Sequence, residues 1–472
     1  MTEWMGQQSF WRFGVCVLLA GVLWFMPIPT DLPVRGWHVF AVFIAVITSF
    51  ILRPYPIGAM VIFGLVALTA TGAITIQEAM SGYGDPMVWL IVAAFLLAGG
   101  IIRTGLGRRL ALLLVSRLAK SPLGLGYSIC GAELLLGPVV PSNTARGGGI
   151  LAPIVRSLAE ALDSYPTRHP ERAGTYLALV GSHANLITAA MFLTGMAANP
   201  MVAQAAQAVF GITFDWGTWA LGSVVPGLVG LALLPVFIFF LAKPTLTDTR
   251  EAQAVAQREL EEMGRWSRGE KIMGVVLPVL LLLWVSKPLH GMHTTLVAWI
   301  GVSVLLITNT EKWQDMVEND KAWETLIWIG GLLTMARSLK EHGFIDWFAQ
   351  DVGAWFTDVS GITVVLVMAL IYFYSMYSFS MLSAHIAAMG TVFLAVALGA
   401  GAPAMLTVAI FAYFSNLCGC TTNYSTGPVI IYFGLDYVSP RRWFASGFMV
   451  SLYHLAIWLG IGLIWWKILG WW

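Results

Sequence analysis

Apolar segments long enough to cross about 30 Å of hydrocarbon at about 1.5 Å per residue recur along this chain, near 10–27, 36–52, 57–73, 86–103, 174–198, 217–242, 271–287, 292–308, 323–339, 402–434 and 443–467. Lipid offers no water to an unpaired N–H or C=O, so each segment must satisfy its backbone internally; a continuous apolar run does this as a helix, not as an alternating barrel strand. The expected fold is an all-α polytopic membrane protein with about eleven transmembrane helices. Composition agrees: 58% of the 472 residues are hydrophobic, 11% are charged, and 21 are Trp. A net charge of +1 leaves no basic excess for nucleic acid. No GxGxxG, Walker or zinc-ligand spacing implies a cofactor or a metal. Cys16, Cys130, Cys418 and Cys420 lie scattered in apolar segments and read as small hydrophobes.

Two further stretches, 122–158 and 361–399, are apolar but interrupted by polar residues at their middles, the pattern of re-entrant hairpins. Arg12 precedes the first apolar run, but no small-x-small cleavage site follows it, so a retained first helix is expected. With the N-terminus cytoplasmic, all of the 26 Lys and Arg except Arg35, Lys287, Arg337, Lys340 and Lys467 fall on the inner side, the distribution the positive-inside rule selects. The loop 243–271 is then cytoplasmic, and its mixed-charge run Glu251 to Glu262 reads as a solvated helix.

The chain also repeats itself. Leu90-Ile91 and Leu96-Leu97 recur as Leu326-Ile327 and Leu332-Leu333, and Gly105-Leu106 recurs as Gly343-Phe344. Gly181, Asn185 and Thr188 match Gly419, Asn423 and Thr426. An odd number of spans separates the two copies, so they cross in opposite senses, and an inverted repeat places a transport site at the repeat interface. Gly181–Thr188 and Cys418–Pro428 are expected to unwind, exposing free N–H groups and carbonyls.

The most polar stretch at membrane depth is Pro141-Ser142-Asn143-Thr144-Ala145-Arg146-Gly147-Gly148-Gly149. Polar groups there are costly unless they line a cavity or are buried in protein. A helix starting near Asn143 would offer N–H groups and the Ser142 and Thr144 hydroxyls to an anion, and Arg146 would add a bidentate fork. Arg146 has a rival partner in Glu133, which would make it a positioning residue. Asn185 and Asn423 either contact substrate or tie up freed backbone. An intramembrane enzyme using Ser142 or Cys420 with His183 or His385 lacks a nucleophile–base spacing, and a channel does not need two hairpins.

Pro141 to Arg146, Ala184 to Thr194 and Thr426 to Gly434 resemble the divalent anion/sodium symporter family over essentially the whole chain, and within it the citrate/succinate, tartrate/succinate and 2-oxoglutarate/malate exchangers. The resemblance implies a homodimer in a bacterial inner membrane, held through a scaffold (1–85, 201–322). A transport domain (86–200, 323–434) would carry a di- or tricarboxylate as an elevator, and 435–472 would close the chain as a C-terminal helix. It implies substrate contacts from Ser142, Asn143, Thr144, Arg146, His183, Asn185, Ser383, His385, Thr421, Thr422 and Asn423. One departure stands out. Sodium-coupled relatives carry Ser-Asn-Thr at both hairpin tips, whereas the second tip here reads Met381-Leu382-Ser383, too few oxygens for a hard cation. His183 and His385 would supply positive charge instead. The expected function is sodium-independent exchange, with sodium symport as the alternative, and Arg146→Ala and Asn143→Ala are expected to abolish it while leaving folding intact.

Overall fold

The computed structural model describes residues 2–356 and 359–472, with side chains from Ser9 onward. It is an all-helical polytopic membrane protein. Each of the eleven apolar segments is helical. Among the described residues seven helices are long and apolar enough to cross a membrane, and two of these, Gly361–Ser378 and Leu382–Gly399, are the arms of the second hairpin.

Twelve helices make up the repeat. The first copy comprises α1 (Pro86–Thr104), α2 (Leu106–Leu118), α3 (Pro122–Leu136), α4 (Ala152–Ala161), α5 (Gly174–Met191) and α6 (Asn199–Phe210). The second comprises α7 (Asp320–Glu341), α8 (Phe344–Gly353), α9 (Gly361–Ser375), α10 (Leu382–Gly399), α11 (Ala404–Leu417) and α12 (Gly427–Phe433). The same local chemistry sets equivalent boundaries. Gly105 and Gly343 take the left-handed conformation between the long helix and the amphipathic one, at φ 78° and 80°, where only glycine is unstrained. Ser121 and Ser360 cap the first hairpin arms, accepting from the N–H groups of Gly124 and Thr363. The copies are antiparallel. Asn319, which caps α7, donates to the Phe95 carbonyl at 3.2 Å, while Arg337 near the other end of α7 pairs with Asp85, the N-cap of α1.

Each broken helix packs across the repeats. Its first half, α5 or α11, lies against its own hairpin's first arm, and its second half lies against the other hairpin. Thus α12 meets the first hairpin and α6 meets α10.

Two expectations need correction here. The first break does not fall at Gly181–Thr188, because α5 runs unbroken to Met191 with every residue buried. The chain leaves the helix at Phe192 and resumes at Asn199. Pro200 in the first turn of α6 and Pro428 in the first turn of α12 mark the helix starts that follow the two breaks, because a first turn has no intrahelical partner for the N–H that proline lacks. Asn185 and Thr188 within α5 are used without unwinding, bonded by Glu133 and Asn143 of the first hairpin. The first repeat accordingly runs to Phe210, beyond the expected boundary at 200. Second, the helix Arg250–Glu262 is not simply solvated. Ala252 and Ala256 are buried, and Gln253 and Glu259 bond Ser116, Arg108 and Ser157, strapping it across α2 and the first hairpin.

A buried ion pair fixes α2 to the helix Arg268–Val285. Arg109 Nε donates to Glu270 at 2.5 Å, and its other nitrogens donate to the carbonyls of Gly264 and Met263. Removing one partner strands a buried charge, so Arg109→Met should lower stability by about 3–5 kcal/mol. Arg109→Met with Glu270→Gln, which keeps the Ser267 cap, should recover part of that loss in thermal unfolding of the detergent-solubilised protein. Equal loss in single and double variants would refute the assignment.

Candidate anion site at the repeat interface

The first hairpin returns through residues 137–143, and its second arm opens with a π-helical stretch, Thr144–Leu151, of the kind that recurs at functional sites. Glu133 on α3 and Arg146 on this stretch are both fully buried and pair at 2.6 Å. Arg146 is almost fully committed: Nη1 donates to the carbonyls of Val140 and Gly195 at 2.8 and 3.0 Å, and Nη2 to Thr188 at 3.3 Å, which with the Nε bond to Glu133 places four of its five N–H groups. Glu133 is equally committed. It accepts from Asn185 Nδ2 at 2.9 Å and from the Thr188 hydroxyl at 3.0 Å. The pair therefore ties together both arms of the hairpin, α5 and the first break. The structure gives Arg146 the positioning place, and Glu133 carries the network.

The tip itself crosses to the other repeat. Asn143 Nδ2 donates to Thr426 at 3.1 Å, and its carbonyl accepts from Asn185 at 3.2 Å. Ser142 accepts from the Ala145 N–H. A methyl group on Gly427 would overlap the Thr144 side chain, so glycine is what lets the first hairpin meet the start of α12. Ser142, Asn143, Thr144, Asn185 and the segment Thr422–Gly427 thus converge. Within this group the Asn185 side-chain oxygen Oδ1 and the Thr422 hydroxyl are buried without a protein partner, the condition of groups that await a ligand or water.

The remaining expected residues are placed differently. The Thr421 hydroxyl turns back to the Cys418 carbonyl at 2.8 Å. Asn423 and Ser383 are half-buried. His385 is fully buried, with Nε2 2.8 Å from Ser375 and its ring stacked on Tyr372 at 4.3 Å. His183 does not join the Asn185 cluster: its ring faces Trp443 of the C-terminal helix at 6.5 Å, and both of its nitrogens lack partners. Asn199 and Asn416 were not expected. Asn416 donates to Asn199 at 2.8 Å, and Asn199 bonds the carbonyls of Ala189 and Phe192, so the two breaks are joined directly. The Asn199-Pro200 pair is the sequence signal that marked the first break. Among the described residues no cluster of His, Cys, Asp or Glu could hold a metal ion.

A separate cavity of about 540 Å³ opens between α6 and α7, lined by Asp85, Gln204, Gln207, Arg337 and Lys340 among others. None of the expected site residues lines it.

Because Arg146 clamps the fold, Arg146→Ala should not leave folding intact. Stranding the Glu133 carboxylate should cost about 3–5 kcal/mol. Glu133→Gln should cost a similar amount by stranding the guanidinium. The double variant Glu133→Gln/Arg146→Gln should unfold at a higher temperature than either single variant. Arg146→Ala with wild-type thermal stability would contradict the clamp.

Comparison with known proteins supplies the context. The family described as "Sodium:sulfate symporter transmembrane region" matches residues 7–472. The chain is 40% identical over 459 residues to a putative malate transporter, YflS, of Bacillus subtilis, covering 97% of this chain and 96% of that protein. It is 39% identical to dicarboxylate transporter 1, chloroplastic, of Arabidopsis thaliana, covering 96% and 82%, and 32% identical to the citrate/succinate antiporter of Escherichia coli, covering 99% of both. The solved YdaH transporter of Alcanivorax borkumensis shares the fold at a TM-score of 0.56 and 15% identity, over 99% of both chains. Sequence over the whole length and fold together establish that this chain belongs to the sodium:sulfate symporter family, the divalent anion/sodium symporters.

Proposed function

We propose that this protein exchanges di- or tricarboxylates across a bacterial inner membrane, without a requirement for sodium. The observation that carries this reading is the crossing of Ser142–Thr144 with Thr422–Gly427, where hydroxyls, an amide and a helix opening from two antiparallel repeats converge on a point with uncommitted polar atoms. One carboxylate would be held there by the N–H groups that begin the second hairpin arm and by the Ser142, Thr144 and Thr422 hydroxyls. The second would face Ser383 and Asn423. Three relatives bear the names of malate, dicarboxylate and citrate/succinate carriers, which supports carboxylates over sulfate.

Sodium independence is supported by the second tip. Leu382 is buried and its N–H is taken by the Ser425 carbonyl at 2.8 Å, so where the first hairpin has Ser142 and Asn143 the second offers side-chain oxygen only from Ser383. An elevator motion is supported by an apolar seam lined by Phe43, Met201, Ala205, Leu332, Ala336 and Gly390, since apolar surfaces slide without breaking bonds. In this reading the scaffold makes a homodimer and the N-terminus is cytoplasmic.

Sodium symport is a second reading with one specific support: the unpartnered Asn185 side-chain oxygen Oδ1 beside an intact Ser142-Asn143-Thr144 tip, an oxygen that suits a hard cation. Labelled succinate uptake into proteoliposomes separates the two. Uptake into vesicles preloaded with a dicarboxylate, negligible into buffer-loaded vesicles and equal with and without external sodium, is the expected result. Sodium-dependent uptake into buffer-loaded vesicles would replace exchange with symport, and no carboxylate uptake under any condition would reject both.

A further inference from the structure

The two hairpins are latched at equivalent positions by different chemistry. Their first arms begin at capping serines 239 residues apart, Ser121 and Ser360, and the same offset carries Glu133 onto Tyr372 and Arg146 onto His385. The structure honours that correspondence. In the first hairpin Glu133 of one arm grips Arg146 of the other and accepts from Thr188 of α5. In the second, Tyr372 of one arm stacks on His385 of the other at 4.3 Å, and its hydroxyl bonds Ser415 of α11 at 2.8 Å. Ser415 gives its own proton to the Phe411 carbonyl, so Tyr372 is the donor. Ser375 likewise gives its proton to the Tyr372 carbonyl, so His385 Nε2–H donates to Ser375 and Nδ1 faces the Cys418 sulfur at 3.8 Å. An ion pair with six bonds around it has become a neutral stack with three.

The tips differ in the same sense. Residues 137–141 of the first hairpin are buried; a methyl on Gly137 would meet Phe192 and Thr188, and the Pro138 carbonyl accepts from Thr194 at 2.5 Å. In the second hairpin Tyr377, Ser378 and Ser380 are exposed. That tip is tethered by the Tyr424 hydroxyl on the Tyr377 carbonyl, by Arg53 on Ser380, and by the Leu382 N–H on Ser425.

We infer that Tyr372 and His385 are positioning residues that leave the second hairpin adaptable to the length of the bound acid, while Glu133 and Arg146 hold the first hairpin fixed. One carboxylate then has a rigid seat and the other a compliant one, so the Tyr372–His385 latch sets how wide a range of chain lengths the carrier accepts. This rests on the carboxylate-exchange reading. A neutral latch yields more readily than a buried ion pair because opening it strands no charge.

The test compares KM and kcat for exchange of succinate, 2-oxoglutarate and citrate in proteoliposomes. Tyr372→Phe keeps the ring on His385 but frees it from Ser415, and should lower the ratio of the citrate KM to the succinate KM at least threefold. Tyr372→Glu/His385→Arg copies the ionic clamp and should raise that ratio at least fivefold, with kcat for succinate changing less than the ratio. Should the double variant fail to fold, amide hydrogen exchange on the wild-type protein gives the independent readout: residues 376–384 should exchange at least tenfold faster than 137–144 and slow on adding succinate. Unchanged KM ratios in the variants that fold, or equal exchange rates at the two tips, would overturn the inference alone. No carboxylate exchange by the wild type would remove the functional reading and this inference with it.

Discussion

A carboxylate and a guanidinium, fully buried and 2.6 Å apart, anchor everything that gives this chain a site. Neither charge would be tolerated alone at that depth, so the pair persists because nearly all of its remaining donors and acceptors are used. Those uses fix the geometry. The Val140 carbonyl sets the hairpin turn, Gly195 sets the first break, and Asn185 and Thr188 set the rotation of α5. With these four held, the tip has one place to go, against Thr426 and Gly427 of the opposite repeat. The crossing of the two repeats thus follows from a charge pair buried behind it.

Antiparallel duplication explains why the site lies where it does. Each hairpin packs on its own broken helix, and its second arm also meets the other repeat's helix, so the first tip meets the start of α12 where the repeats cross. The two breaks are bonded to one another through Asn416 and Asn199. Duplication gives two seats of the same architecture, and later substitution of the latch residues lets the seats differ. Glycine is needed at the crossing because two backbones approach through it, as Gly427 does over Thr144.

Much of this is legible in the sequence because the relevant signals are local. Capping serines, paired glycines at 105 and 343, and polar interruptions of apolar runs locate the hairpins and the second break. The first break is misplaced for a physical reason. Polarity along Gly181–Thr188 marks contact with buried partners as readily as it marks unwound backbone, and only the partners decide. Pro200 carries the better signal, since proline is favoured in the first turn of a helix and so marks where α6 begins. Arg146 shows the same difficulty: a lone buried guanidinium reads as an anion ligand until the carboxylate that neutralises it is placed beside it. His183 was drawn into the site by its distance along the chain from Asn185. Two residues on a helix turn a side chain by more than half a circle, so it faces the C-terminal helix instead.

The central claim is that the acid sits where the first hairpin crosses the second break. A high-resolution structure with succinate bound tests this most directly. The account predicts density between Ser142–Thr144 and Thr422–Gly427, with Glu133 and Arg146 still paired behind it. Succinate in the cavity between α6 and α7, against Arg337 and Lys340, with the crossing unoccupied, would contradict it.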